Sequence, residues 1–239
     1  MPETLEDFLM TRPPTAERPL LGQTLLVVED SRFACEALRL ICQRSGARIR
    51  RADSLKSASR HLCTYRPGIV LVDVGLPDGS GIDLIRTLAK SDPRIPLIMA
   101  MSGDDSVADK ARKAGADAFL AKPITSISEF QCAILSNLPA EARPTGLRSV
   151  SADEVSPDRI ALRDDFAFAA DLLAQQPDRQ TLDYLTNFLL GIAKSAQDRD
   201  LRDVVRDVAA SGKTGPPSAE VIQRLRDLVS ERLKDEQHV

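Results

Sequence analysis

Short apolar runs alternate with amphipathic helical patterns along the first half of the chain. The runs predict strands at 25–28, 69–74, 96–102 and 118–121, with a weaker strand at 47–51. A helical pattern follows each strand, over 31–44, 54–65, 82–90, 106–114 and 126–138. Five strand–helix units in series are typical of a parallel sheet covered by helices on both faces. The pattern therefore predicts an α/β domain with a five-stranded, doubly wound parallel sheet.

The second half of the chain shows helical periodicity only. Four stripes of apolar residues recur there at intervals of three and four residues. They begin at Ile160, Leu182, Leu201 and Val221. Helices with one apolar face must bury that face against each other or against a partner. A separate all-α domain is therefore predicted.

Two irregular segments divide the chain. Residues 140–157 lack apolar periodicity and are rich in Pro, Ser and charged residues, as linkers are. At the N terminus, prolines interrupt one short amphipathic turn that contains Leu5, Phe8 and Leu9, which predicts a mobile or docking extension. The predicted organisation is an extension at 1–22, an α/β domain at 23–139, a linker at 140–157 and a helical domain at 158–239.

Composition and charge disfavour several classes of partner. The net charge of -3 and the pI of 5.5 provide no broad positive field for nucleic acid or anionic membranes. Seven Phe, two Tyr and no Trp leave too few aromatic surfaces for a platform that stacks single-stranded bases. The sequence has no apolar run of about 18 residues, and its first residues are acidic where a signal peptide is basic. We therefore expect a cytoplasmic protein with no membrane partner.

The cysteines and histidines do not indicate a metal site, a disulfide or a catalytic site. The four cysteines lie on predicted helices without a CxxC pair, so buried thiols are expected rather than zinc ligands or a disulfide. His61 falls in the middle of a helix and His238 in the C-terminal tail, which does not support a histidine-based site. The string SGKTG at 211–215 lacks the first glycine and the preceding strand of a phosphate-binding P-loop.

Charged and hydroxyl side chains stand where the predicted strands end. Glu29 and Asp30 follow the first strand, and Asp73 lies at the end of the third. Ser102 ends the fourth strand, and Lys122 follows the fifth. The carboxyl ends of parallel strands meet at one edge of the sheet, where ligands of such sheets bind. We therefore expect three carboxylates, a hydroxyl and an ammonium in one cleft.

Three neighbouring carboxylates repel one another unless a cation lies among them. Mg²⁺ fits best, because it binds through a few carboxylates and accepts phosphate oxygens as further ligands. One carboxylate can then attack phosphorus while the lysine and the hydroxyl receive the transferred oxygens. Taken singly, each residue also has a structural explanation, with Asp73 and Ser102 as caps and Lys122 as a solvated residue before a proline. Their joint order at four strand ends favours the phosphoryl-transfer site.

Residues 24–138 resemble the receiver domain of two-component response regulators in several ordered motifs. The motifs are Glu29-Asp30 after LLVV, the stretch LVDVGLPDGSG around Asp73, the hydroxyl of MAMSG, and KARKAGADAFLAKPI with Lys122-Pro123. The resemblance implies a flavodoxin-like fold with the strand order 2-1-3-4-5.

The resemblance also implies roles for the carboxylates. Asp73 would accept a phosphoryl group from a phosphohistidine of a sensor histidine kinase or phosphotransfer protein. Glu29, Asp30 and Asp73 would hold Mg²⁺, with the backbone carbonyl of Gly75 as a further ligand. The chain would catalyse its own phosphotransfer and dephosphorylation only, so it is not expected to be an enzyme in any wider sense.

Three further residues are implied to respond to the phosphoryl group. Lys122 would pair with the phosphoryl oxygens. Ser102 would turn towards the group, and Phe119 would rotate inward behind it. The surface formed by the fourth helix, the fifth strand and the fifth helix would change as a result.

The target of the signal depends on residues 140–239, which carry 14 Lys plus Arg against 18 Asp plus Glu. This balance disfavours DNA as the target without eliminating it. The one histidine of this segment, His238 in the tail, is unsuited to a phosphotransfer domain. The main hypothesis is a response regulator whose phosphorylation switches a helical module for protein interaction or for homodimer formation. The alternative is a DNA-binding transcriptional regulator with a phosphorylation-controlled helical domain.

Overall fold

The five predicted strands form one sheet. The structure, a computed structural model, describes residues 13–144, 153–214 and 217–235. The strands are β1 (Thr24–Val28), β2 (Arg48–Ala52), β3 (Ile69–Asp73), β4 (Leu97–Ser102) and β5 (Ala118–Ala121). They are all parallel and pair in the order β2-β1-β3-β4-β5. The predicted flavodoxin-like fold class, with the strand order 2-1-3-4-5, is confirmed.

Five helices cover the two faces of the sheet. They are α1 (Arg32–Ser45), α2 (Leu55–Thr64), α3 (Gly81–Ala89), α4 (Ala108–Ala114) and α5 (Ile127–Asn137). In β1, Leu25 and Val27 pack with α1 and α5, whereas Leu26 and Val28 lie in the apolar cluster of the other face, to which α2, α3 and α4 contribute. This division follows from the alternation of side chains along a strand. Because both faces are buried, the strand sequences are continuous apolar runs rather than alternating ones.

The second half of the chain is helical, as predicted. Its helices are α6 (Arg159–Ala174), α7 (Arg179–Ser195), α8 (Arg199–Thr214) and α9 (Ala219–Asp235). Asp158 and Asp178 cap the first two of them by accepting hydrogen bonds from backbone N–H groups of the first turn. The four apolar stripes meet in one buried cluster. None of the helices in the described part of the chain is both long enough and apolar enough to cross a membrane.

The two halves of the chain share buried residues. Phe33 of α1 is buried in the apolar cluster of the helical half rather than in the core of the sheet. Val155, from the predicted linker, and Leu20, from the predicted extension, are both buried against the sheet. The turn predicted at residues 5–9 lies outside the described residues, as does His238.

Two of the four cysteines are exposed, so the expectation of four buried thiols was wrong. Cys35 and Cys42 are buried on α1, but Cys63 on α2 and Cys132 on α5 face solvent. Helices that cover a sheet bury one face only, and these two residues fall on the outer face. None of the four cysteines forms a disulfide.

A small hairpin follows β3, and the apolar pattern of the sequence does not predict it. Its strands, Gly75–Leu76 and Gly79–Ser80, are two residues long and antiparallel. Gly81 then begins α3, and a Cβ atom placed on it would lie 1.9 Å from the carbonyl oxygen of Asp73. Only glycine fits at this position, which keeps the start of α3 directly behind the end of the strand that carries Asp73.

Gly81→Ala is therefore expected to lower the free energy of unfolding by about 1 to 3 kcal/mol or more, because the backbone must move to admit the methyl group. Urea-induced unfolding followed by circular dichroism measures the change. The matched control is Gly191→Ala within α7, where an added Cβ meets no atom within 4 Å. Helix propensity predicts a gain of up to about 1 kcal/mol for that control. Equal stability of Gly81→Ala and the wild type would contradict the close approach.

Candidate functional site

The residues predicted at the strand ends meet at one edge of the sheet. The Glu29 N–H donates to the Ala52 carbonyl oxygen at 2.9 Å, and the Lys122 N–H donates to the Ser102 carbonyl oxygen at 2.8 Å. A cavity of 170 Å³ opens at this edge, and its lining includes Glu29, Asp30, Asp73, Gly75, Ser102 and Lys122. The structure thus brings together all the predicted metal-site and phosphoryl-site residues. Their chemical roles stay predictions.

Lys122 supplies the cation of this cluster. Its Nζ atom lies 2.6 Å from Oε2 of Glu29 and 3.0 Å from Oδ2 of Asp73, and all three side chains are buried. The alternative of a solvated lysine is therefore wrong. Burial lowers the pKa of Lys122, but the charges of Asp73 and Glu29 outweigh it and hold the pKa above its ordinary value. Lys122 is an ammonium at neutral pH.

The three carboxylates carry more negative charge than one ammonium can balance. Burial raises the pKa of Glu29 well above its ordinary value, although Lys122 acts in the opposite direction. Burial and the neighbouring charge of Asp73 raise the pKa of Asp30 to about 6. Ionising all three carboxylates beside one lysine leaves an excess of buried negative charge, which is unfavourable without a further cation.

The cluster fits a hard divalent cation. One carboxylate oxygen from each of Glu29, Asp30 and Asp73 lies within 4.8 Å of the other two. A set of oxygen donors suits Mg²⁺, which retains several of its waters and takes few carboxylates. Zinc sites are usually built from sulfur and nitrogen donors, which this cluster does not contain. The charge and the donor atoms are therefore both appropriate for Mg²⁺.

The two predicted switch residues lie in different surroundings. Ser102 lines the cavity, and its hydroxyl oxygen accepts a hydrogen bond from the Asp104 N–H at 3.1 Å. Phe119 on β5 is half-buried and packs against the apolar layer that includes α3 and α4. It does not line the cavity that the described residues form. The movement expected of each residue stays a prediction.

Helix α7 completes the cleft from the other half of the chain, which the sequence did not predict. The Tyr184 hydroxyl donates a hydrogen bond to Oδ2 of Asp30, and the Lys194 ammonium donates one to the Gly103 carbonyl oxygen. The cavity lining also includes Asn187, Phe188, Gly191 and Ser195 of this helix. No local pattern points to these contacts, because Tyr184 is 154 residues from its partner and lies within an ordinary helical stripe.

Asp165 of α6 attaches the helical half to the start of α1. It is buried, and its carboxylate accepts hydrogen bonds from the Ser31 hydroxyl at 2.7 Å, the Arg32 N–H at 2.8 Å and the Phe33 N–H at 3.1 Å. The first N–H groups of a helix need acceptors, and a carboxylate also suits the positive end of the helix dipole. Burial raises the pKa of Asp165 above its ordinary value despite these bonds. No sequence pattern indicates this role, because an aspartate in an amphipathic helix normally faces solvent.

Comparisons with known proteins agree with the resemblance in the first half of the chain. The family model of the response regulator receiver domain matches residues 25–133. The KDP operon transcriptional regulatory protein KdpE of Escherichia coli K12 is 33% identical over 107 residues, which is 45% of this chain and 47% of its own. The transcriptional regulatory protein PhoP of the same strain is 36% identical over 101 residues, or 41% and 45% of the two chains. The chain thus spans about half the length of the curated relatives it matches.

Solved receiver domains are also similar to part of the chain. That of NtrX from Brucella abortus is 27% identical, with a TM-score of 0.39, and the likeness covers 42% of this chain and 86% of that one. The receiver domain of the sensor histidine kinase PA1611 from Pseudomonas aeruginosa PAO1 has a magnesium ion coordinated in its active site cleft. It is 24% identical, with a TM-score of 0.43, and the likeness covers 48% of this chain and 96% of that one. Neither likeness extends over more than half of this chain.

Asp30→Asn is expected to stabilise the protein in the presence of EDTA by about 1 to 3 kcal/mol, because it removes a partly buried charge that Asp73 repels. The amide oxygen still accepts the Tyr184 hydrogen bond. Urea-induced unfolding at neutral pH measures the difference. The exposed Asp53, which follows β2, provides the matched control, since Asp53→Asn is expected to change stability by less than about 0.5 kcal/mol. A destabilised Asp30→Asn protein would show that repulsion among the carboxylates is not the dominant effect.

Proposed function

We propose a function that starts from the response regulator receiver domain formed by residues 25–133. In this proposal the chain is a two-component response regulator. It is phosphorylated on Asp73, in the presence of Mg²⁺, by a sensor histidine kinase or a phosphotransfer protein. The observation that supports the proposal most directly is the buried Lys122 ammonium, which contacts both Asp73 and Glu29 at the carboxyl edge of the sheet.

The arrangement of the side chains suits transfer of a phosphoryl group to Asp73. An oxygen of Asp73 forms a bond to phosphorus as the bond from phosphorus to the donor's imidazole nitrogen breaks, and that nitrogen leaves with the electron pair. Lys122, 3.0 Å from Oδ2 of Asp73, is close enough to pair with the phosphoryl oxygens. The Ser102 hydroxyl, in the same cavity, can donate a hydrogen bond to another of them.

Glu29, Asp30 and Asp73, with the backbone carbonyl of Gly75, would hold Mg²⁺. When bound, the ion neutralises charge on the carboxylates and on the phosphoryl oxygens. The chain's own residues supply the remaining elements of the site, which are the nucleophile, the lysine and the hydroxyl. This self-catalysed transfer and the later hydrolysis are the only reactions that the proposal assigns to the chain.

The helical half is proposed to be the output, as a module for protein interaction or for homodimer formation. Its acidic balance supports this assignment, because residues 140–239 carry 18 acidic against 14 basic residues. Its direct contacts with the cleft, through Tyr184 and Lys194, give the two halves a physical connection.

DNA binding is the second candidate for the output. The curated relatives KdpE and PhoP are named transcriptional regulatory proteins, although each match covers less than half of this chain. Gel shift on genomic DNA fragments, with and without beryllofluoride as a phosphoryl mimic, separates the candidates when combined with light scattering. Sequence-specific retention of DNA would favour the second candidate. A beryllofluoride-dependent change of mass without DNA retention would favour the interaction module.

Incubation with acetyl phosphate and Mg²⁺ is expected to add one phosphoryl group, because Asp73 lies in the same buried cavity as Lys122 and Ser102. Intact-protein mass spectrometry measures the gain. EDTA and the Asp73→Asn substitution are each expected to abolish it.

The matched control for this experiment is Asp104→Asn, which changes another carboxylate at the same cavity. This variant is expected to retain the phosphoryl gain, with an altered lifetime of the product. A phosphorylated Asp73→Asn protein, or an unphosphorylated wild type, would overturn the assignment of Asp73.

A further inference from the structure

Helix α7 lies across the mouth of the cleft and makes two polar contacts with it. Tyr184 donates to Oδ2 of Asp30, which belongs to the carboxylate cluster. Lys194 donates to the carbonyl oxygen of Gly103, the residue that follows Ser102. The helix thus contacts the cleft at both a carboxylate and the loop after β4.

Between these contacts, α7 lies next to Gly103 and Gly75 of the cleft. A Cβ atom on Gly103 would lie 3.4 Å from the Cα atom of Gly191, and one on Gly75 would lie 3.9 Å from the Cβ atom of Asn187. The side chain of Asp73 is only 10% exposed beneath the helix. With α7 in this position, the helix leaves little room for a donor protein to bring a phosphorylated side chain to Asp73.

A small ion is not excluded in the same way. A second cavity, of 590 Å³, reaches Glu29 and Asp30 from the side of α6, and its lining includes Arg32 and Asp165. Hydrated ions can therefore reach Asp30 while the helical half is docked. An ion that enters by this route therefore reaches the carboxylate that accepts the hydrogen bond from Tyr184 of α7.

We propose that a divalent cation and Tyr184 compete for the Asp30 carboxylate, so that metal binding and docking of α7 on the cleft oppose each other. The proposal rests on the metal site of the proposed function and adds a residue from the other half of the chain to it. Coordination at Asp30 displaces the Tyr184 hydroxyl, loosens α7 and opens Asp73 to a protein phosphodonor. By the reciprocity of linked binding, loss of the Tyr184 contact strengthens metal binding by the same factor that the metal weakens docking.

The physical basis of the competition is the shared carboxylate. The Tyr184 hydroxyl directs its hydrogen at Oδ2 of Asp30, and a cation bound to that oxygen would repel the hydrogen. The docked helix also limits the space for waters, of which Mg²⁺ keeps several. The attachment of α6 through Asp165 and Phe33 does not involve the carboxylate cluster directly, so it can persist when α7 is displaced.

The first test compares Mg²⁺ affinity by isothermal titration calorimetry in the wild type, Tyr184→Phe and Tyr65→Phe. Removing a hydrogen bond to a charged group changes an equilibrium by about tenfold or more, so Tyr184→Phe is expected to bind Mg²⁺ at least about fivefold more tightly. Tyr65→Phe is the matched control, because it removes the other tyrosine hydroxyl and is expected to keep the wild-type affinity.

A second variant keeps the proposal testable if Tyr184→Phe does not fold. Lys194→Met removes the other polar contact of α7 and leaves the carboxylates unchanged. It is expected to shift Mg²⁺ affinity in the same direction. Circular dichroism checks that each variant is folded.

A second readout follows the Tyr184 contact itself. The chain has two tyrosines and no tryptophan, so Tyr184 is the only strong fluorophore in the Tyr65→Phe protein. A carboxylate that accepts a hydrogen bond from tyrosine quenches its emission, so Mg²⁺ is expected to raise the fluorescence with the midpoint found by calorimetry. Hydrogen exchange of α7 is expected to accelerate over the same range of Mg²⁺, while β3 stays protected.

The outcomes separate this inference from the proposed function. Wild-type Mg²⁺ affinity in both Tyr184→Phe and Lys194→Met, with unchanged exchange of α7, would overturn the competition and leave the metal site intact. Absence of Mg²⁺ binding in all the proteins would overturn the metal site and the competition together. Tighter binding in the two variants, with Mg²⁺-dependent exposure of α7 in the wild type, supports the competition.

Discussion

The ammonium of Lys122 lies between Glu29 and Asp73 in a buried part of the protein, where Asp30 adds a third carboxylate. One positive charge cannot neutralise three negative ones, and burial makes the imbalance costly. The parallel sheet imposes this crowding, because the carboxyl ends of β1, β3 and β5 meet at one edge. Burial raises the pKa values of Glu29 and Asp30, and the neighbouring charge of Asp73 adds to the effect.

The same edge of the sheet also holds the helical half of the chain. The start of α1 forms hydrogen bonds with both the carboxylate cluster and the helical half. The Ser31 N–H donates to Glu29 at 3.1 Å, while the Arg32 and Phe33 N–H groups donate to Asp165. Tyr184 then donates to the carboxylate that lies immediately before this helix. Charge imbalance in the cleft and attachment of the helical half are therefore not independent properties of the protein.

Local patterns were sufficient to predict the five strands of the parallel sheet, the helices α1 to α9 and the members of the carboxylate cluster. Leu25 to Val28 form a continuous apolar run because both faces of β1 are buried, and side-chain type at the strand ends then indicates the site. Contacts between the halves were not predictable in this way. Phe33 would belong to the apolar face of α1 whether it packed against the sheet or against the helical half. Tyr184 would likewise belong to the apolar face of α7 with or without a hydrogen bond from its hydroxyl to a carboxylate. Periodicity identifies a buried face, but it does not identify the surface that buries it.

The spacing of contacts along α7 gives the helix access to two parts of the cleft. Tyr184, Asn187, Gly191 and Lys194 recur at intervals of three and four residues, so they lie on one face of the helix. The ten residue steps from Tyr184 to Lys194 span about 15 Å. One end of this face contacts Asp30, and the other contacts Gly103, which follows Ser102. A change at the metal ligand and a change at the hydroxyl would therefore act on opposite ends of one rigid element. Because each contact is a single polar bond, neither needs disruption of the apolar core around Phe33 to be broken.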